Sequence, residues 1–204
     1  MAKVKLTKTE LKAQTDALRR FQRFLPMLQL KKQQLQAEVA GICAKADEVA
    51  ARERAERAAL GGWVGLLAAD GFPLEGLVEV DEVKTGTANI AGVPIPTFEA
   101  VDAHMREVDA WEAPAWVEDA AAAALRIISL ESERAVYEEQ LRLVEDELRL
   151  TSQRVNLFEK VKIPECREAI RVIKIALGDE QTAAVTRGKI AKGRAPSEPG
   201  EEAA

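Results

Sequence analysis

The sequence predicts a mainly α chain: a long antiparallel two-helix coiled coil with a small α/β-hairpin insertion at the end distal to the termini. Three observations predict it. Charged residues make up 31% of the 204 positions and aromatics only 4%, the composition of long helices rather than of an aromatic-rich core. Two stretches sustain a seven-residue apolar repeat. The roughly fifty residues between them are punctuated by Gly and Pro and alternate in part like strands.

The first helix is expected from about Lys8 to Leu60. Its a positions are Leu11, Leu18, Leu25, Lys32, Val39, Ala46, Glu53 and Leu60; its d positions are Gln14, Phe21, Leu28, Leu35, Ile42, Val49 and Glu56. Thr7 or Thr9 can cap its start, and Glu10 stands where a capping box needs it. Pro26 removes a backbone donor and should bend or interrupt the helix. Gly41 costs about 1 kcal/mol relative to Ala in a helix interior.

The second helix is expected from Pro114, suited to a first turn, to Leu177. Its a and d frame is regular from Ile127 and Leu130 to Val155 and Phe158, then slips. Beyond the slip the better set is Ile163, Cys166, Ile170, Ile173 and Leu177, and Pro164 beside it predicts a local kink. Gly178 reads as a stop, and Ala195–Ala204 as a disordered tail.

In the insertion, residues 61–114, a short helix is expected around Trp63–Leu67. Leu77–Val83 and Ala88–Pro96 read as strands joined at Thr85-Gly86, and Phe98–Glu112 as a short amphipathic stretch. Residues 1–60 and 115–194 then form one discontinuous coiled-coil rod. At ~1.5 Å per residue the helices span about 80 and 95 Å, and neither can bury its stripe without the other.

Charge is unevenly placed. Met1–Gln36 carries nine Lys/Arg against Glu10 and Asp16, and Lys160–Arg194 nine against four. Gly61–Asp119 carries two against twelve. A hairpin fold makes the terminal end basic and the insertion acidic, which favours an electrostatic role for the basic end.

Catalytic patterns are missing. Gly61-Gly62-Trp63-Val64-Gly65 lacks the Lys of a phosphate loop. His104 is the one histidine, and Cys43 and Cys166 are the two cysteines, so neither a zinc cluster nor a disulfide framework is available. No cofactor or metal is expected, nor any nucleic-acid partner. The N-terminus lacks the apolar run of a signal peptide and no stretch is long enough to span a membrane, so direct membrane insertion is not expected either.

Several segments resemble the D-type stalk family of V-type ATPases and A-type ATP synthases. Thr7, Lys8 and Leu11 fit its N-terminal pattern, with Leu6 where the family has Pro. Leu28, Lys31, Lys32 and Leu35 fit its L-L-K-x-K-R-D-x-L segment, with Gln29 and Gln33 departing. Asn89, Gly92, Val93 and Pro96 fit N-x-x-G-V-x-x-P, in the knob that the insertion forms. Arg154-Val155-Asn156-Leu157-Phe158-Glu159 with Ile163-Pro164 resembles R-V-N-A-L-E…I-P. The resemblance implies a non-catalytic central rotor stalk, cytoplasmic and peripheral to the membrane. It transmits torque between a ring of A and B subunits and a membrane ion rotor, with the F subunit on its side and the C subunit (d in eukaryotes) as its membrane-side socket. It also implies ring contacts at Thr7, Lys8, Leu11, Leu28, Lys31, Lys32, Leu35, Arg154, Asn156, Glu159 and Pro164. The alternative from another class is a coiled-coil scaffold or adaptor stalk of a secretion or flagellar export apparatus.

Overall fold

The computed structural model describes residues 5–62, 65, 75–109, 111 and 113–194. Helix α1 runs Lys8–Leu60, strands β1 and β2 run Val78–Ile90 and Val93–Met105, and helix α2 runs Val117–Leu157. A π-helical turn, Phe158–Lys162, leads directly into helix α3, Ile163–Arg194. The mainly helical fold with one antiparallel hairpin agrees with the sequence. The short helix expected near Trp63 and the expected tail at 195–204 lie outside the described residues.

The chain divides into two compact units, Met1–Gln29 with Gln153–Ala204, and Leu30–Ser152. In the first, α1 meets the π turn, where the Phe21 and Phe158 rings lie 4.9 Å apart with 53° between their planes. In the second, α1 runs antiparallel to α2. Lys31 bonds Glu147 at 2.6 Å, Arg126 bonds Glu56 at 3.2 Å, and Arg57 pairs with Glu131. The burial follows the heptads: every a and d position named on α1 is buried or half-buried. Thr7 Oγ1 accepts the Glu10 N–H at 3.2 Å, half of a capping box. The Glu10 carboxylate bonds Gln14 instead of reaching back.

The frame slip has a defined cause. From Phe158 to Ile163 the stripe advances five residues where the heptad step is four. The π turn absorbs that extra residue, with the Ile163 N–H bonding Phe158 O five residues back. The buried set resumes at Ile163, Cys166 and Ile173, as the shifted frame requires.

Four local expectations are corrected. Of the bend or interruption expected at Pro26, the interruption is absent: Pro26 lies exposed inside α1, one residue past the stripe, where water can satisfy the carbonyl it leaves without a donor. Gly178 does not stop α3, because it lacks the positive φ of a left-handed cap. The hairpin turns at Ala91-Gly92 (φ 50° and 87°), not at Thr85-Gly86, and Asn89 Oδ1 accepts the Gly92 N–H at 2.9 Å. Gly86 instead makes room across the ladder, since a Cβ there would lie 2.5 Å from Glu99 Oε1 and 2.7 Å from Thr97 Oγ1. Phe98–Met105 is therefore strand rather than a separate amphipathic stretch. Bulges at Val80/Glu82 and at Lys84/Thr85 fall on opposite strands, so the register is restored at the turn.

A two-stranded hairpin is marginal alone. This one lies against the helix pair: Ile95 packs with Leu35, Ile42 and Val144, and Ile90 and Val93 join Val39, Tyr137, Leu141 and Leu148. The strands thus reach back along α1 and α2 as far as Leu35. Leu77, Val117 and Ala121 form a second core with Val78, Val108, Ala113 and Trp116. Trp111 stays out of it, 97% exposed.

Candidate interaction surface

The basic unit is built from helix faces that turn away from the stripe. Over residues 1–29 and 153–204 it holds seventeen Lys/Arg and ten Asp/Glu, net +7; residues 30–152 hold twelve and twenty-four, net −12. Lys8, Lys12, Arg19, Arg20 and Arg23 are all exposed on α1. Phe24 (49% exposed) and Met27 (62%) lie among them, off the a and d positions. On α3, Val172, Ile175, Val185 and Ile190 are exposed, and no described residue from Gly178 to Gly193 is even half-buried. Such a helix, open on every side, lacks the packing that stabilises most protein helices.

The residues singled out by sequence resemblance separate into two groups. Thr7 and Lys8 are exposed at the start of α1, with Leu11 half-buried one turn on. Arg154, Asn156, Glu159 and Pro164 are exposed around the π turn, while Val155 and Ile163 between them are buried. The other group serves the chain itself. Leu35 has no exposed surface and is core, so it has none to offer a ring partner. Leu28 and Lys32 are half-buried on the stripe, and Lys31 is held by Glu147. In the hairpin, Asn89 and Gly92 build the turn, Val93 packs on the helices, and the Pro96 carbonyl accepts from Gln140 at 2.6 Å.

Two positions given no role by sequence carry structure, Glu53 on the heptad stripe and Gln140 beside it. Glu53, a buried a-position carboxylate, bonds Arg57 at 2.6 Å and Arg134 at 3.2 Å. Gln140, 5% exposed, anchors β2. The exposed apolar side chains were missed because a heptad reading records only what falls on the stripe.

Titration behaviour fits structural roles. Burial pushes the Cys166 thiol up, away from a reactive thiolate. Burial also raises Tyr137, with Glu133 adding to it. His104 Nδ1 lies 2.7 Å from Asp81 Oδ2 on the hairpin, and that hydrogen bond raises the imidazole above its usual value.

Comparison with known proteins bears on what such a surface is for. The family described as the D subunit of ATP synthase matches residues 10–193. The chain belongs to the ATP synthase D-subunit family. Among its relatives, the V-type ATP synthase D subunit of Borreliella burgdorferi is 42% identical over 192 residues, covering 94% of this chain and 95% of the relative. That of Chlamydia pneumoniae is 34% identical over 200 residues, 93% and 91% of the two chains. That of Chlamydia muridarum is 33% identical over 193 residues, 94% and 95%. As a D-subunit homologue the chain is a stalk component of a rotary ATPase complex. No described helix is long and apolar enough to cross a membrane.

Proposed function

We propose that the chain is the central rotor stalk of a V/A-type rotary ATPase. It passes torque between the A/B catalytic ring and the membrane ion rotor, coupling ATP synthesis or hydrolysis to proton or sodium transport. It is non-catalytic itself, cytoplasmic, and peripheral to the membrane. Family membership over nearly the whole chain is the observation that carries this reading. The paired heptad stripes support it: where two helices pack against each other they resist twisting better than one, as torque transfer needs.

The basic unit is the part proposed to enter the A/B ring. A rotor visits several ring positions, so its contacts should be numerous and individually weak. Exposed ion pairs of ~0.2–1 kcal/mol suit that; deep apolar pockets would hold one angle. Lys8, Arg19, Arg20, Arg23 and Arg154 supply such contacts, with Thr7, Leu11, Asn156, Glu159 and Pro164 beside them. The open end of α3 would gain its missing cover inside the ring. The acidic, hairpin-bearing unit is left to face the membrane-side C/d socket, with the F subunit on the side of the stalk. The scaffold alternative has no comparable support.

Co-expression with A and B subunits tests this. The expected result is a stoichiometric complex, with ATP turnover in the ring and none in the isolated chain. Turnover surviving in the purified chain, or no complex, would contradict it.

A further inference from the structure

We propose that Glu53, with Arg57 and Arg134, is the register lock of the coiled coil: the group that fixes which heptad of α1 faces which heptad of α2. The apolar stripe does not fix this alone. Sliding one helix by seven residues exchanges many Leu, Val and Ile contacts for others of the same kind, so the aliphatic contacts alone discriminate poorly between registers. Glu53 is different. Its side chain is 3% exposed and both oxygens are used: Oε1 takes Arg57 of its own helix at 2.6 Å, and Oε2 takes Arg134 of the facing helix at 3.2 Å. Arg57 also reaches Glu131, and Arg134 also reaches Glu138 at 3.3 Å, so both guanidinium groups are held from the α2 side.

In a register one heptad away, the α2 residue opposite Glu53 would be Leu141 or Ile127 in place of Arg134. The carboxylate would then be buried without its cross-helix cation, which is strongly disfavoured. Polar groups at a single a position fix register in this way, at some cost in stability. For a shaft that carries load along its axis, a slipped register is a failed shaft. The lock is a property of the chain alone, so its failure would leave the rotor-stalk reading untouched.

The test is a distance measurement on the full chain. With Cys43→Ala and Cys166→Ala as background, spin labels at Ala37→Cys and Ala122→Cys, both exposed positions set well apart along the axis so that a slip adds to or subtracts from their separation, report the register by double electron–electron resonance. The parent should show one distance. Glu53→Leu should keep its helicity by circular dichroism and add a second, discrete population displaced along the axis by about 10 Å, seven residues at the helix rise. Arg134→Met should do the same, and it decides the matter if Glu53→Leu does not fold. A single unshifted distance, or broadening without a second population, would overturn the proposal.

Discussion

The side-chain amide of Gln140 on α2 donates to the backbone carbonyl of Pro96 on β2 across 2.6 Å. This bond joins the hairpin to the helix pair beside the Ile95 contacts. Gln140 is buried and Pro96 half-buried, so water replaces the bond only in part.

Gln140→Leu should therefore loosen the hairpin. Leaving the Pro96 carbonyl without its donor should cost about 1–2 kcal/mol in denaturant unfolding. Hydrogen exchange should rise first at Ile90–Pro96, while α3, in the other unit, keeps its protection.

The turn offers a gain and a loss. Ala91 sits at φ 50°, a region L-residues other than Asn and Asp avoid, and Gly92 at φ 87°. Ala91→Asn creates the preferred Asn-Gly turn and should stabilise by a few tenths to about 1 kcal/mol. Gly92→Ala should destabilise by about 1 kcal/mol. Thermal melts of both variants check the pair.

Deleting Lys160 should convert the π turn to α-helix and restore one heptad frame through Ile163, Cys166 and Ile173. The variant should keep its helicity and its melting temperature, and Cys166 should stay slow toward thiol reagents. Rapid modification of Cys166 would show that the extra residue is needed to bury it.

The His104–Asp81 pair gives a pH dependence of definite sign. Its folded pKa is raised, so its contribution is present in full below the unfolded value of ~6.5 and is lost as pH rises through the folded value. Nuclear magnetic resonance should show His104 titrating above 6.5, and Asp81→Asn should bring it back. Both groups are more than half exposed, so salt should weaken the effect.

What was legible in the sequence was what is local to one helix. Leu11, Phe21, Ile42 and Val49 announce the stripe by spacing alone, and the one-residue slip after Phe158 marks an irregularity there, whose π-helical form only the structure shows. What was not legible depends on residues far apart. Gly86 reads as a turn until Glu99 and Thr97 are seen opposite it, and Lys31 reads as a free cation until Glu147, 116 residues on, is seen to hold it. Asn89, Gly92, Val93 and Pro96 stood out by resemblance, but their work in seating the hairpin needed Gln140 and the helix core to be seen. Gly178 failed as a stop signal because a glycine caps a helix through a positive φ, which composition does not reveal.

The measurement that tests the central claim most directly is capture of the A/B ring at low and moderate salt. Lys31 is engaged by Glu147, so the informative charge reversal is at the exposed Arg19, Arg20 and Arg23, each changed to Glu. Its counterpart is Glu79→Lys with Glu82→Lys on the hairpin, and circular dichroism should show both variants as helical as the parent. The arginine variant should lose the ring, the hairpin variant should keep it, and salt should weaken wild-type capture. If the hairpin variant loses the ring and the arginine variant keeps it, the basic unit is not the part that enters the ring.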